Sequence, residues 1–412
     1  MKQYDVIIIG SGPAGLGIAH SLEAAGVSYR ILERENYWGG IPLTCGHRSF
    51  GINVYKYPMT AKAFIKKISK KVSASNIQTN TTALKVTPKG EVSVRTPEGL
   101  STMNARKVVL ATGCRESTRH GLLTSGLRPL EVMTTGALQR ICNQNKTLPF
   151  GRTIIVGTEI VSFSALTTLL GKGGKVVAML EQEQDIATYR PLSLYTLARR
   201  IPVHCSTRIT AIQGIDHVEG ITVRQTTRHG EAKRFIPCDS VVFSGRFTAE
   251  NTLAYASNLE SFMQNNRLVV DQYGQSDLPV IMACGNVLHP GDPGDYSFVE
   301  GCRLGKKLAV ELRTPVAASQ LIPVICPKEF TSDIQCVRIP ANAGSIKADI
   351  NLHAQKRLCG TISLAVNNKI IQEKKGSFLP RYRIAFKGVN LAPGRTDTCM
   401  EIFYAPRHVT TP

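Results

Sequence analysis

The stretch Tyr4–Glu33 constrains the fold of this chain more than any other part of the sequence. An apolar run predicts a buried strand, and a glycine-rich turn then opens a helix with apolar periodicity. Gly10 permits a tight turn, Gly12 lets the backbone approach a pyrophosphate, and Gly15 lets the helix pack closely on the strand. The N–H groups of the helix N-terminus attract phosphates. A second strand ends at Glu33, where a carboxylate accepts hydrogen bonds from a ribose, so the stretch predicts a dinucleotide-binding βαβ unit.

The βαβ pattern recurs once, from Arg152 to Glu181, and there the glycine turn is degenerate. Gly157 keeps the first glycine, but Glu159 stands where the second belongs and Ser162 replaces the third. Repulsion between a carboxylate and a diphosphate in a partly dry site costs on the order of a few kcal/mol. We therefore expect a retained Rossmann-like domain in which NAD(P) binding is disfavoured. Glu181 either meets a ribose or is a solvated strand end.

Two later strands end in small residues that let the chain pass close to a cofactor. Lys107–Gly113 ends in Ala-Thr-Gly, and Leu278–Asn286 ends in Gly-Asn. Asn286 can still exchange a hydrogen bond with a hydroxyl, and the N–H of the preceding glycine can bond a phosphate. The next helix contains Glu300, and its N-terminus would stabilise negative charge on a bound ring.

A loop framed by glycine and proline contains Cys45 and His47, our candidate catalytic residues. At this spacing the two side chains can meet, and a nearby histidine lowers the pKa of a thiol. The alternative is that both residues only line a pocket. The chain has eleven cysteines, but their spacing contains no CxxC pair and no zinc or iron–sulfur ligand pattern, so we expect no metal site.

Composition excludes several classes of protein. An apolar fraction of 42% and a charged fraction of 19% are ordinary for a globular chain, and the apolar runs are too short to span a bilayer. The N-terminus leads straight into a strand without a signal peptide, so we expect a cytoplasmic protein. The net charge of +20 suits anionic cofactors or an acidic partner protein, and no motif indicates specific nucleic-acid binding.

These motifs together resemble the two-dinucleotide-binding-domain flavoproteins, the pyridine nucleotide-disulfide oxidoreductase superfamily. Residues 39–47 and 157–165 are similar to the branch that contains the B subunit of hydrogen cyanide synthase, the A subunit of opine oxidase and the subunits of hydroxyproline dehydrogenase. The resemblance implies FAD as cofactor. The candidate cofactor-binding residues are Gly10, Gly12, Pro13, Ala14, Gly15, Glu33, Arg34, Gly40, Thr81, Thr112, Gly113, Gly285, Asn286 and Glu300.

The resemblance implies an α/β fold with two Rossmann-like three-layer ββα dinucleotide-binding domains, followed by a C-terminal β-sandwich-like domain. We expect an FAD-binding domain in two parts, residues 1–118 and 267–314. Between them lies a degenerate NAD(P)-like domain, residues 119–266. Residues 315–412 alternate short strands with Gly, Pro and Asn turns and predict the small β-rich domain.

The implied function is that of an FAD-dependent oxidoreductase, a subunit of an amino-acid, opine, amine or polyol dehydrogenase complex. Electrons would pass through FAD to an acceptor other than NAD. One alternative is an NAD(P)H-dependent reductase that uses Cys45, and another is a non-catalytic relay or docking subunit that carries a flavin. The partner would be a companion subunit or a second copy in a homodimer. The paired cysteines of disulfide reductases are absent from this sequence.

Overall fold

The computed structural model describes residues 3–145, 151–314, 319–380, 382–393 and 398–407. The chain opens with the expected βαβ unit, and its first strand is buried because both sheet faces are covered. The elements of this first segment are β1 (Gln3–Ile9), α1 (Pro13–Ala24), β2 (Tyr29–Leu32), α2 (Ile52–Tyr55), α3 (Ala61–Ile68), β3 (Ile77–Gln78), β4 (Thr82–Val86), β5 (Glu91–Thr96), β6 (Gly99–Leu110) and β7 (Cys114–Glu116).

The long strand β6 joins the two layers of β-structure in this segment. Its C-terminal half pairs in parallel with β1, and its N-terminal half pairs antiparallel with β5. The order β3-β2-β1-β6 forms a parallel sheet, while β6, β5 and β4 form a meander. One apolar core lies between the helices and the parallel sheet, and a second lies between that sheet and the meander.

The second segment repeats this three-layer plan. Its parallel sheet has the order β11-β10-β9-β15-β8, and β12, β13 and β14 form a separate antiparallel meander. Again one core faces the helices and another faces the meander. The elements are β8 (Val132–Thr134), α4 (Thr135–Asn145), β9 (Arg152–Val156), α5 (Ile160–Gly171), β10 (Lys175–Leu180), α6 (Arg190–Ala198), β11 (Val203–His204), β12 (Thr207–Gln213), β13 (Gly220–Thr227), β14 (Gly230–Pro237) and β15 (Ser240–Phe243).

The chain then returns to the first segment. The returning elements are β16 (Phe247–Ala249), α7 (Thr252–Ala256), β17 (Met263–Gln264), β18 (Arg267–Leu268), β19 (Ile281–Ala283) and α8 (Gly294–Glu311). Strand β16 pairs antiparallel with β7, so the outgoing and returning chains cross side by side. Strand β19 pairs in parallel with β6 and extends the first parallel sheet.

The last segment is a β-sandwich. Its strands are β20 (Ser319–Ile325), β21 (Phe330–Ser332), β22 (Cys336–Pro340), β23 (Ile346–Ala354), β24 (Leu358–Val366), β25 (Lys369–Phe378), β26 (Arg383–Leu391) and β27 (Met400–Pro406). One sheet has the order β22-β20-β27-β24-β25, the other has the order β21-β23-β26, and one apolar core lies between them.

This architecture confirms the predicted α/β fold with its β-rich C-terminal part. The exact domain boundaries at 118, 266 and 314 stay a prediction. Within the described ranges, no helix is both long enough and apolar enough to cross a membrane. The same residues contain no group of three or more potential metal ligands.

Helices α1 and α8 lie so close together that their contact needs glycine. A Cβ at Gly301 would lie 2.2 Å from the carbonyl oxygen of Ala14, and one at Gly305 would lie 2.6 Å from that of Ile18. Gly17 on α1 makes the reciprocal contact, because its Cβ would lie 2.4 Å from the carbonyl oxygen of Phe298. The spacing between these helices therefore depends on the missing side chains.

We predict that Gly301→Ala lowers the free energy of unfolding by about 1–3 kcal/mol, since the added methyl group overpacks a backbone contact. Urea denaturation measures the change. Gly171→Ala, at the end of α5, is the matched control, because a Cβ there meets nothing within 4 Å. That control should be neutral or slightly stabilising. Equal effects of the two substitutions would contradict this account of the helix contact.

Candidate functional site

The glycine turn between β1 and α1 combines two packing glycines with one that faces open space. A Cβ at Gly10 would lie 2.3 Å from the carbonyl oxygen of Ala111, and one at Gly15 would lie 2.0 Å from that of Gly10. A Cβ at Gly12 would meet nothing within 4 Å, and Gly12 is the N-cap residue of α1. The turn thus presents bare backbone and a helix N-terminus to an open cradle, which fits the pyrophosphate of a dinucleotide.

Glu33 follows β2 with its side chain buried and held in place. Its carboxylate accepts hydrogen bonds from the backbone N–H of Ser11 at 3.1 Å, the Ser11 hydroxyl at 2.5 Å and the Glu35 N–H at 3.0 Å. The Ser11 hydroxyl also accepts a bond from the Gly39 N–H at 3.1 Å. Ser11 therefore links the turn, the acidic residue and the next loop. Sequence reasoning missed it, although its polar side chain between two motif glycines was a visible signal.

The loop after Glu33 closes over the turn. Gly40 has φ +70°, and a Cβ there would lie 2.9 Å from the Cα of Gly12. This places Gly40 against the cradle, next to Pro13 and Ala14 at the start of α1. Gly40 thus sits where its candidate role requires, and any side chain there would push on the turn.

A polar cavity of about 330 Å³ lies beyond Glu33. Arg34 lines it, as do Asn80, Thr82 and Arg95, which the sequence did not single out. The side chain of Thr81 is buried and bonds to the Thr79 carbonyl at 3.0 Å, so Thr81 contributes backbone only. Two guanidinium groups across one cavity suit the base and sugar end of a dinucleotide, because arginine stacks on planar rings and donates to oxygen.

The second βαβ unit repeats this bonding almost atom for atom. Gly157 has φ +118°, close to the +110° of Gly10. Glu181 is buried like Glu33, and it accepts hydrogen bonds from the Thr158 hydroxyl and, at 3.1 Å, from the Glu183 N–H. Of the two interpretations of Glu181, the solvated strand end is thus wrong.

The second turn differs from the first at the position of the cradle. The carboxylate of Glu159 lies over the backbone, since a Cβ at Gly245 would be 1.7 Å from its Oε2 atom and one at Gly157 would be 2.7 Å from it. The Ser162 hydroxyl donates to the same oxygen at 3.3 Å. The space that Gly12 leaves open in the first unit is filled here by a negatively charged side chain.

The Ala-Thr-Gly segment lies at the crossing between the two units. The Thr112 hydroxyl donates to the Glu250 carbonyl at 2.9 Å, and the Gly113 carbonyl accepts from the Glu250 N–H at 2.9 Å. These bonds hold the outgoing chain against the returning one. Whether Thr112 and Gly113 also contact the cofactor stays a prediction.

The Gly-Asn segment is tied to α8. The side chain of Asn286 accepts from the Ser297 hydroxyl and donates to the Asp292 carbonyl, both at 3.1 Å. The Gly285 N–H donates to Glu300 at 3.1 Å. The expectation that this N–H bonds a phosphate is therefore not met in this structure, because a carboxylate of the same chain occupies it.

Cys45 and His47 have separate partners. The Cys45 thiol lies 3.3 Å from the Gln139 Oε1 atom, and burial raises the pKa of this thiol to about 11. The His47 Nδ1 atom lies 2.7 Å from the Ser49 hydroxyl, the ring stacks on Phe50, and burial lowers the pKa of His47. The expected lowering of a thiol pKa by a neighbouring imidazole is wrong for this conformation, since Cys45 is held as a neutral thiol.

Glu116 is a titratable group that sequence reasoning missed. Burial raises the pKa of its carboxyl group, although the Gly136 N–H donates to it at 2.7 Å. Its Oε1 atom is buried without a hydrogen-bond partner in the described part of the chain. The carboxylate also helps to raise the pKa of Cys45, so the two groups lie in one region. A buried carboxyl group of this kind can hold or take up a proton near neutral pH.

Comparison with known proteins agrees with this geometry. A family model of pyridine nucleotide-disulphide oxidoreductases matches residues 4–307, and the chain belongs to this family of flavin oxidoreductases. The family binds FAD, and NAD(P) binding is also common in it. The open first cradle, with Ser11 and Glu33 behind it, fits FAD.

Two curated relatives are similar to parts of the chain. The A subunit of opine oxidase from Agrobacterium tumefaciens (strain Ach5) is 25% identical over 283 residues, which are 62% of this chain and 55% of that protein. The corresponding opine oxidase protein of Rhizobium meliloti (strain 1021) is 24% identical over 186 residues, 44% of this chain and 39% of that protein. The chain thus spans less than two thirds of either relative.

Solved structures share the fold at low sequence identity. Thioredoxin reductase of T. acidophilum has a TM-score of 0.61 at 17% identity and covers 76% of this chain and 100% of its own. L-proline dehydrogenase of P. horikoshii has a TM-score of 0.55 at 18% identity, with 76% and 56% coverage. A NAD-dependent persulfide reductase of A. fulgidus has a TM-score of 0.56 at 16% identity, with 88% and 68% coverage.

We predict that Gly12→Ala weakens FAD binding about tenfold or more while leaving the fold intact. The new methyl group enters the open cradle, meets no protein atom within 4 Å and competes with the pyrophosphate. Equilibrium dialysis measures the affinity, and thermal unfolding of the FAD-free protein serves as the control. Unchanged FAD affinity, or loss of folding, would contradict the assignment of this cradle.

We predict that Glu159→Gly creates measurable NAD(P)H binding, because it removes the charge and bulk that fill the second turn. Fluorescence titration of NADH and NADPH follows the gain. Glu159→Gln is the matched variant that removes the charge and keeps the bulk, and we expect a smaller gain from it. If wild type already binds NAD(P)H as tightly as Glu159→Gly does, the side chain is no obstacle.

Proposed function

We propose that this chain belongs to an FAD-dependent dehydrogenase or oxidase complex, in which it oxidises an amino acid, opine, amine or polyol and passes electrons to an acceptor other than NAD(P). When bound, FAD supplies the two-electron acceptor for a substrate C–H bond. The observation that carries the proposal is the contrast between the two turns. Gly12 faces open space, whereas Glu159 fills the corresponding space of the second unit.

The cysteines support a reaction other than thiol–disulfide exchange. A dithiol reductase needs two neighbouring cysteines, and the sequence spacing offers no such pair. Cys45 has a pKa raised to about 11, so only a very small fraction of it is thiolate at neutral pH. The thioredoxin reductase likeness therefore extends to the fold without its chemistry.

The relatives support the substrate class. Both curated relatives are named as one of the subunits of opine oxidase, and one solved structure with the same fold is named L-proline dehydrogenase. An opine and L-proline are both amino acids or derivatives of them. We place the chain in the branch of such proteins on this ground, together with the residue patterns at 39–47 and 157–165.

A partner chain is the second part of the proposal. The relatives are named as subunits, and an excess of 20 positive charges favours a companion of acidic surface. The C-terminal β-sandwich adds surface beyond the part that matches the family model, which ends at residue 307. A homodimer is the competing arrangement.

An anaerobic absorbance experiment tests the proposal. The FAD-loaded protein is mixed in turn with L-proline, an opine, a primary amine, a polyol, NADH and NADPH. We expect loss of the visible flavin absorbance with at least one of the first four compounds and none with the nicotinamides. Rapid bleaching by NAD(P)H alone would contradict the proposal and favour a reductase. Bleaching by none of the six would contradict direct substrate oxidation and favour a relay role.

A further inference from the structure

A small cavity lies where the returning segment meets the β-sandwich. It measures about 160 Å³, and its walls include Phe247, Arg267, His289, Thr331 and His353. The first three belong to the returning segment, and the last two belong to β21 and β23 of the sandwich. The cavity therefore exists only because these two parts of the chain are packed together.

The sandwich presents an ordered polar row to this cavity. Thr331 lies directly opposite His353 across β21 and β23, and His353 lies directly opposite Arg383 across β23 and β26. Directly opposed residues of antiparallel strands share one face of the sheet. Thr331, His353 and Arg383 thus stand side by side, and they face the loop that follows Asn286.

The carboxylates around this row already have cationic partners. Arg383 pairs with Asp292, with 2.6 Å between Nε and Oδ2. His289 lies 3.2 Å from Glu300 and 3.1 Å from Asp333. Burial opposes the charge of His289, but the carboxylates of Asp333 and Glu300 raise the pKa of His289 to about 10. The histidine in the cavity wall is therefore a cation at neutral pH.

Arg267 is the cation of the wall that lacks a partner. Its guanidinium makes no hydrogen bond or ion pair with any residue in the described ranges, and it is half-buried on β18. Burial lowers the pKa of Arg267, and Asp333 and Asp292 offset this effect only in part. A guanidinium carries five N–H donors in a planar fork, which a carboxylate matches with two parallel hydrogen bonds.

The histidines of the wall also have bonding capacity left. The Nδ1 atom of His289 and the Nε2 atom of His353 approach the same Oδ1 atom of Asp333, at 3.1 and 2.9 Å. Neither contact is aligned as a hydrogen bond, although only 6% of the His289 side chain is exposed. Buried polar atoms left in this state mark a place where a further hydrogen-bonding group is accommodated.

We propose that this cavity binds the carboxylate of the substrate, with Arg267 as its two-point partner and His289 and His353 beside it. This inference rests on the proposed function and narrows it to substrates that carry a carboxylate, amino acids or opines and not simple amines or polyols. A volume of about 160 Å³ holds a carboxylate with a short carbon chain, and it is far below the roughly 300–1,000 Å³ of larger ligand pockets. The apolar ring of Phe247 lies against the carbon chain.

Propanoate and propanamide test the site directly, because they share one shape and differ in charge. Calorimetry with the FAD-loaded protein should show propanoate binding and no propanamide binding. Arg267→Gln should weaken propanoate binding about tenfold or more, and Arg267→Lys should lie between, since it keeps the charge and loses the fork. Arg208→Gln, on the exposed surface of β12, is the matched control and should bind like wild type.

Several results would overturn the site. These are equal binding of propanamide and propanoate, equal propanoate binding by Arg267→Gln and wild type, and equal binding of inorganic phosphate and propanoate. Loss of FAD from Arg267→Gln would assign the cavity to the cofactor instead. Thermal unfolding checks that each variant is folded, and Arg267→Lys carries the test if Arg267→Gln is not.

The same variants separate this inference from the proposed function. If an amino acid bleaches the flavin equally well in wild type and in Arg267→Gln, the carboxylate site is wrong and the proposed function stands. If no amino acid or opine bleaches the flavin while propanoate binding depends on Arg267, the proposed function fails and the carboxylate site stands.

Discussion

Close approach of backbone to backbone at the first glycine turn is the constraint on which the rest of the structure depends. Gly10 and Gly15 leave no room for a side chain, and Gly301 brings α8 against the same helix from the other side. Since α8 follows β19, this contact joins the returning segment to the first one. The open position at Gly12 exists because its neighbours are packed this tightly, and both proposals start from it.

The two βαβ units show how one scaffold can keep its bonding and change its chemistry. The buried acidic residue and the hydroxyl that bonds it are retained, as Ser11 with Glu33 and as Thr158 with Glu181. The difference is confined to the position where a ligand would sit. Glu159 occupies it, and Gly245 gives the carboxylate room. A change of this kind removes a binding site without disturbing the sheet, because no residue of the core takes part.

The sequence predicts the parts of this protein that follow from local rules. Strand, glycine turn, helix and terminal acidic residue have a fixed order, so both βαβ units and Glu33 were accessible without coordinates. Ser11 and Arg95 were not, because their roles depend on contacts between distant parts of the chain. The pairing of Cys45 with His47 was wrong since neighbouring positions in a loop do not fix where side chains point. The cavity at Arg267 was beyond sequence reasoning, as its walls come from two segments that only the fold brings together.

The central claim is that the chain has one open dinucleotide site and one filled by its own carboxylate. Native mass spectrometry of the purified protein with excess FAD and NAD(P)H measures this directly as bound nucleotides per chain. The account predicts one FAD and no nicotinamide nucleotide. A chain that holds both nucleotides together would contradict it, and so would a chain that holds neither.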